Sequence, residues 1–269
     1  MTSSSLAISK RAEAIHSMGS HTSLFAGRYK LIKTLGKGGM GEICLAEQVG
    51  HRGFRRRAVI KRILAHRADD DEFRAGFEME AKLAAQLDHP NIARVEDFGE
   101  YEGNPFIVME YIKGWDLSSL QKRARTLNRT LPVRLVLSVV IDVGYALEHA
   151  HTAEGWDGKP LRIVHRDISP HNIMVTPNGR TKLLDFGVAS SVIAEEPTQT
   201  GQIKGKLRYL SPEQVLTNVL DGRSDQFSLA TVLAECLTGA RIFAGESEYE
   251  IMRSIVQARL PDLDPKGDW

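Results

Sequence analysis

The chain has 269 residues, of which 42% are hydrophobic and 26% charged, and 35 Lys and Arg stand against 34 Asp and Glu for a net charge of +1. That is enough chain and enough apolar side chain for a real core, so general disorder is excluded, and so balanced a charge gives no case for nucleic acid or an anionic membrane as partner. The two cysteines, Cys44 and Cys236, lie far apart, fit no metal or disulfide framework and point to a reducing, cytoplasmic compartment.

Residues 1–27 carry no apolar signal-peptide core and read as a flexible extension. From Arg28 to about Ile112 the pattern is strand-like with one helical interruption. RYKLIKTLG and GEICLAEQV are short alternating runs separated by glycines, which predicts a hairpin; RRAVIKRIL predicts a third strand and NPFIVMEYI another. Between them, DDDEFRAGFEMEAKLAAQLDH places Phe73, Phe77, Leu83 and Leu87 at helical spacing behind an acidic start. Asp69, Asp70 and Asp71 are the expected caps, and His89-Pro90 the stop. After Gly114 helices are expected over 116–123, 133–152, 223–238 and 247–258, with short strands around 172–184 and a long irregular stretch over 187–212. The most apolar segment, 133–150, is interrupted by Arg134, Asp142 and Glu148. It falls short of the roughly 20 apolar residues that a membrane span needs. TAEGWDGKPLR predicts an exposed hairpin-like loop, and the three arginines 55–57 a solvated turn. A small sheet-rich lobe followed by a larger helical one, an α+β architecture, is what this order implies.

Several short motifs carry chemistry. GKGGMG (Gly36, Lys37, Gly38, Gly39, Gly41) is a GxGxxG followed by a strand-like run instead of a helix. That disfavours a dinucleotide fold and suits a glycine hairpin whose backbone N–H groups approach a phosphate. AVIK (58–61) puts Lys61 after three apolar residues, where a buried ammonium requires an anionic partner; Glu80, midway along the expected helix, is the candidate, and Glu78 points to another face. In HRDISPHN (165–172) and LLDFG (183–187), Asp167 and Asp185 stand 18 residues apart. Asp167 can accept a hydroxyl proton, while Asn172 and Asp185 offer hard oxygen ligands that suit Mg²⁺. Each motif alone is commonplace. Their joint order, closed by SPE at 211–213, is highly specific.

On these motifs, from about Arg28 to about Arg253, the sequence resembles the eukaryotic-like (Hanks-type) Ser/Thr protein kinases of bacteria. The resemblance implies a bilobal fold, with an N-lobe over about 28–112 and a C-lobe over about 113–269. It also implies ATP in the cleft between the lobes, bound with Mg²⁺ or Mn²⁺. Met109 then resembles the gatekeeper, and the backbones of Glu110 and Ile112 the adenine-binding hinge. Asp116 would approach the ribose, and Ile43, Ala58 and Met174 resemble the apolar sandwich around the base. Asp225 resembles the buried aspartate that anchors the catalytic loop. The segment ending in SPE resembles an activation segment; Thr198 and Thr200 are its candidate autophosphorylation sites, with Arg166 as the phosphate's dock. Protein substrates follow from the same likeness, as does a homodimer for trans-phosphorylation.

Two departures fall together. The lysine that Ser/Thr kinases carry two residues after the aspartate is Ser169, and the threonine expected to touch both is Lys206. A paired exchange suggests that Lys206 brings the positive charge to Asp167 and the γ-phosphate while Ser169 makes room. A third departure is the end of the chain, which stops before the final C-lobe helices of the family and so before the arginine expected to pair with Glu213. Two readings compete with an active protein kinase. One is an ATP-binding pseudokinase or scaffold without turnover; the other is a small-molecule phosphotransferase of the same fold.

Overall fold

In the computed structural model, residues 24–38, 41–64, 67, 70–186, 202–217 and 219–260 are described, with only the backbone of 202–204. A five-stranded antiparallel sheet is built from β1 (Tyr29–Gly38), β2 (Gly41–Val49), β3 (Arg55–Arg62), β4 (Val95–Tyr101) and β5 (Asn104–Glu110), in the order β1-β2-β3-β5-β4. Gly38 pairs with Gly41 across the tip of the first hairpin. At Gly41 a side chain is excluded, because a Cβ there would sit 2.4 Å from the carbonyl oxygen of Arg62.

The expected helix forms as α1 (Asp71–Ala84) and packs on this sheet through Phe73, Phe77 and Ala81, which meet Ile63 and Ile107. Its cap is Asp70 alone, whose carboxylate accepts from Phe73 N at 3.0 Å; Asp71 is already helical, and Asp69 lies outside the described residues. On the other side of the sheet Phe25 packs with Tyr29, Ala46, Ala58, Ile60, Phe106 and Val108. The boundary expected at Gly27 is therefore corrected: Phe25, driven in by its own apolar surface, already belongs to the small lobe's core. The three arginines 55–57 are not a turn either. They open β3, where Arg55 pairs with Glu47 on the neighbouring strand, Arg56 pairs with Glu96, and Arg57 lies over the ring of Tyr111.

The larger lobe contains a three-stranded sheet, β6 (Trp115–Asp116), β7 (Ile173–Val175) and β8 (Thr181–Leu183), in that order. Its helices are α2 (Leu117–Thr126), α3 (Val133–Thr152), α4 (Gln202–Leu207), α5 (Pro212–Leu216), α6 (Gly222–Thr238) and α7 (Glu248–Val256). Helix α3 buries Val136, Val139, Val143, Ala146, Leu147 and Ala150, one apolar stripe at three- and four-residue spacing, and packs against α6. Among the described residues no helix is long and apolar enough to cross a membrane. The predicted loop after α3 does fold back on itself, with Glu154 bridging to Pro160 and Gly155 N donating to Lys159 O at 2.8 Å. The irregular stretch expected over 187–212 is corrected at its end, where α4 and the start of α5 are helical.

Candidate functional site

Each candidate side chain is placed by an element whose local structure is legible. Lys61 is the penultimate residue of β3, opposite Ile43 on β2 and Ile107 on β5. The alternation of the strand turns its ammonium under the sheet, toward α1. There it donates to Glu80 Oε1, with Phe77 alongside at 5.9 Å. Both members of the pair are buried. The ammonium also lies 3.7 Å from Asp185 Oδ1. Burial works against the charged lysine, but Asp185, Glu80 and the hydrogen bond to Glu80 outweigh it, so the Lys61 pKa is raised. Burial likewise pushes the Glu80 carboxyl up, with the Lys61 charge opposing and Asp185 adding to the rise. Glu78 points elsewhere, 3.5 Å from Lys82 one turn on.

The loop between α3 and β7 is fastened from below. Asp225, on the first turn of α6 and fully buried, accepts from His165 N at 2.8 Å, from Arg166 N at 2.9 Å, and lies 2.8 Å from His151 Nε2. His165 Nδ1 accepts from Asp167 N at 3.2 Å, so its Nε2 carries the proton and donates to Leu184 O at 2.8 Å, just before Asp185. The ring also packs on Phe186 at 4.7 Å. Arg166 and Asp185 both have left-handed backbones, φ 68° and 45°, which few L-residues adopt without such fastening.

Asp167 receives three hydrogen bonds from two donors. Asn172 Nδ2 reaches its carbonyl at 2.7 Å and its Oδ2 at 2.9 Å, and Lys206 Nζ reaches the same Oδ2 at 2.5 Å. Lys206, on α4, is half exposed; Ser169 is fully buried, and its hydroxyl has no hydrogen-bond partner among the described residues. With its amide nitrogen committed to Asp167, Asn172 keeps its amide oxygen for a further contact, and among the described residues the Asp185 carboxylate is met by Lys61 at 3.7 Å. By their chemistry, two hard oxygen donors of this kind suit a small divalent cation that completes its shell with phosphate and water oxygens.

The residues expected around a nucleotide are placed mainly by the strands of the two sheets. Ala58 stands opposite Glu110 and Ile43 opposite Lys61 in the sheet, while Met109, one residue before Glu110, pairs with Val59 and Val95. Ile112 follows on the connection to β6. Below them, Met174 pairs with Asp116. The carboxylate of Asp116 is taken up as the cap of α2, accepting from Ser119 N at 2.8 Å and Ser119 Oγ at 2.6 Å. Gly36, Lys37 and Gly38 end β1, and a Cβ on Gly36 or Gly38 would meet nothing within 4 Å among the described residues. Gly39, Thr198 and Thr200 lie outside the described residues.

Three contributors were not visible in sequence: His151 on Asp225, Lys182 on the carboxylate of Glu110 at 2.5 Å, and Gln214, whose Nε2 donates to Arg166 O at 2.8 Å. Their partners are 74, 72 and 48 residues away, and no local pattern announces such pairs. Glu213, expected to lack its partner, accepts from Ser224 Oγ at 2.6 Å. Burial would raise its carboxyl pKa, but the hydrogen bonds, led by that of Ser224, leave it lowered.

Comparison with known proteins shows the family. A profile of the protein kinase domain matches residues 29–266. The tyrosine-protein kinase MasK of Myxococcus xanthus is 41% identical over 87% of this chain and 36% of its own length. The serine/threonine-protein kinase PrkC of Bacillus subtilis is 37% identical over 88% of this chain and 34% of its own. PknA of Mycobacterium tuberculosis, also named a serine/threonine-protein kinase, is 36% identical over 89% of this chain and 53% of its own. The chain thus spans between about a third and about half of these relatives. Among solved structures, the kinase domain of M. tuberculosis PknI superposes with a TM-score of 0.61 at 34% identity, over 83% of this chain and 77% of that one.

Proposed function

Because the chain belongs to the protein kinase domain family, we propose that it transfers the γ-phosphoryl group of ATP to serine and threonine hydroxyls of proteins. The observation that carries this reading is a convergence. Lys61 of the small lobe stands 3.7 Å from Asp185, and Asp167 is bonded to both Asn172 and Lys206, so one cleft holds a phosphate grip, a proton acceptor and two cation ligands.

Lys61, held charged by Glu80 and Asp185, pairs with the α- and β-phosphates. Asp167 orients the acceptor hydroxyl and takes its proton as the oxygen bonds to the γ-phosphorus and the bond to ADP breaks. Asn172 and Asp185 would hold Mg²⁺, or Mn²⁺ in its place, which when bound would neutralise charge on the phosphates. Lys206 supplies a positive charge at the transferring group, the task that Ser169 cannot perform; its bond to Asp167 supports this role. Met109, Glu110 and Ile112 with Ile43, Ala58 and Met174 form the adenine site, Asp116 borders the ribose, and the loop of Gly36, Lys37, Gly38, Gly39 and Gly41 covers the phosphates. Thr198 and Thr200 are the proposed autophosphorylation sites, with trans-phosphorylation in a homodimer as the route. The Arg166 guanidinium supports this reading, since its Nε is buried and unpartnered and no carboxylate among the described residues pairs with it. A cytoplasmic setting fits the two buried free thiols, Cys44 and Cys236.

The likeness to a relative named a tyrosine-protein kinase favours a second reading for the acceptor hydroxyl alone. One experiment addresses both. Phosphotransfer from γ-labelled ATP with Mg²⁺ is followed for the chain, Asp185→Asn and Lys206→Met, on the chain itself and on a generic protein, and the labelled residues are identified. Phosphoserine and phosphothreonine are expected from the parent, with both variants reduced at least about 100-fold. Phosphotyrosine alone overturns the acceptor assignment. Full turnover by Lys206→Met removes the role of Lys206, and ATP binding without transfer by the parent selects the pseudokinase.

A further inference from the structure

The peptide unit joining Arg166 to Asp167 is gripped at both ends. Its carbonyl accepts from Gln214 Nε2 at 2.8 Å, and its amide donates to His165 Nδ1 at 3.2 Å. Arg166 itself is left-handed, with its own N–H tied to Asp225. That conformation persists in a residue with a Cβ only where the surroundings over-determine it.

Gln214 is fixed in turn. Its Oε1 accepts from Ser211 N at 3.0 Å, and its backbone N donates to Ser211 Oγ at 3.3 Å, the reciprocal cap of α5. Both ends of the carboxamide are thereby assigned, because turning it over would set its oxygen against the Arg166 carbonyl and its NH₂ against the Ser211 N–H.

We propose that Gln214 is a positioning residue for Asp167: its carboxamide couples the folded α5 turn to the peptide plane that aims the Asp167 carboxylate. It touches neither ATP nor the acceptor and acts only through Arg166. The segment that carries α4 and α5 then holds Asp167 twice, by Lys206 on its carboxylate and by Gln214 on its peptide. Unfolding of α5 would release the second hold without disturbing the Asp225 anchor. The inference rests on the assignment of Asp167 as proton acceptor.

Gln214→Glu tests it. The carboxylate keeps an acceptor for Ser211 N–H, and the backbone bond to Ser211 Oγ remains. The donor to Arg166 O is replaced by an oxygen that repels it. Kinetics are measured with ATP, Mg²⁺ and casein well below each protein's melting temperature, and rates are expressed per ATP-binding site, so a merely structural role leaves kcat unmoved. Expected are a fall in kcat of at least about tenfold, KM values for ATP and casein within about twofold of the parent, and faster hydrogen exchange at the Asp167 amide. A kcat within twofold of the parent, or a change confined to the KM for casein, overturns the proposal. Should Gln214→Glu fold poorly, Gln214→Met, which drops both side-chain bonds without adding charge, is scored on the same readouts. If the parent itself transfers no phosphate, the assignment of Asp167 falls and takes this inference with it. If the parent is active and the variant matches it, the coupling through Gln214 alone falls.

Discussion

Lys61 shows how one side chain can serve stability and chemistry at once. Its ammonium is buried between Glu80 and Asp185, so removing it leaves a carboxylate in a low-dielectric site with no counter-charge. Lys61→Met is expected to lower phosphotransfer about 100- to 1,000-fold and to cost about 3 kcal/mol of stability at pH 8. The sign of the pH dependence is fixed by Glu80. Its folded pKa is already raised above the ordinary 4.5 by burial, and losing Lys61 raises it further. A group shifted up contributes stability below its unfolded pKa and loses it as pH rises through the folded value. The deficit of Lys61→Met relative to the parent should therefore grow from pH 5 to pH 8; urea unfolding at the two pH values measures it, and a deficit that shrinks with pH contradicts the account.

Among the elements, the first hairpin is where composition and pairing can be tested most directly. Glu42 at the start of β2 accepts from Thr34 on β1 at 2.6 Å and from Arg62 on β3 at 2.6 and 3.0 Å, so one carboxylate stitches three strands together. The Thr34 hydroxyl, and after it Arg62, hold its pKa below the usual 4.5. A depressed carboxyl contributes stability above its unfolded pKa and loses it as pH falls through the folded one. Glu42→Gln should melt below the parent at pH 7, and that gap should close as pH falls below 4.5; a gap independent of pH argues against the charge. Gly41→Ala is expected to cost more than 1 kcal/mol, since its Cβ would strike the Arg62 carbonyl, and thermal unfolding checks it. The helices with a strong apolar stripe were legible before any coordinates: α3 runs over the predicted 133–152. β4 was not, because VEDFGEY has no clean alternation, and its pairing with β5 supplies what its own sequence lacks. The glycine loop, lysine, aspartates and asparagine were legible as types in an order. What was not legible is which distant group fastens them, as with His151 and Gln214, because those partnerships exist only once the lobes have packed.

At the scale of the whole molecule, helix α6 is the frame. Asp225 accepts from one buried and one part-buried backbone N–H group and bonds a histidine. Asp225→Ala should therefore cost about 3–5 kcal/mol and abolish phosphotransfer, with chemical denaturation and activity falling together, because three donors lose one acceptor. The anchor has a second consequence. Lys61 and Glu80 ride on the small lobe, whereas Asp167, Asn172 and Lys206 are attached to one another and, through Asp225, to the large one. Among the described residues of this cluster, the ion pair that spans the two groups is the 3.7 Å approach of Lys61 to Asp185. Under the proposed function, swinging the lobes apart would loosen the hold on nucleotide while leaving the hydroxyl-activating half assembled, like a vice with one fixed jaw: the cleft would exchange ADP for ATP without rebuilding the geometry for the next transfer.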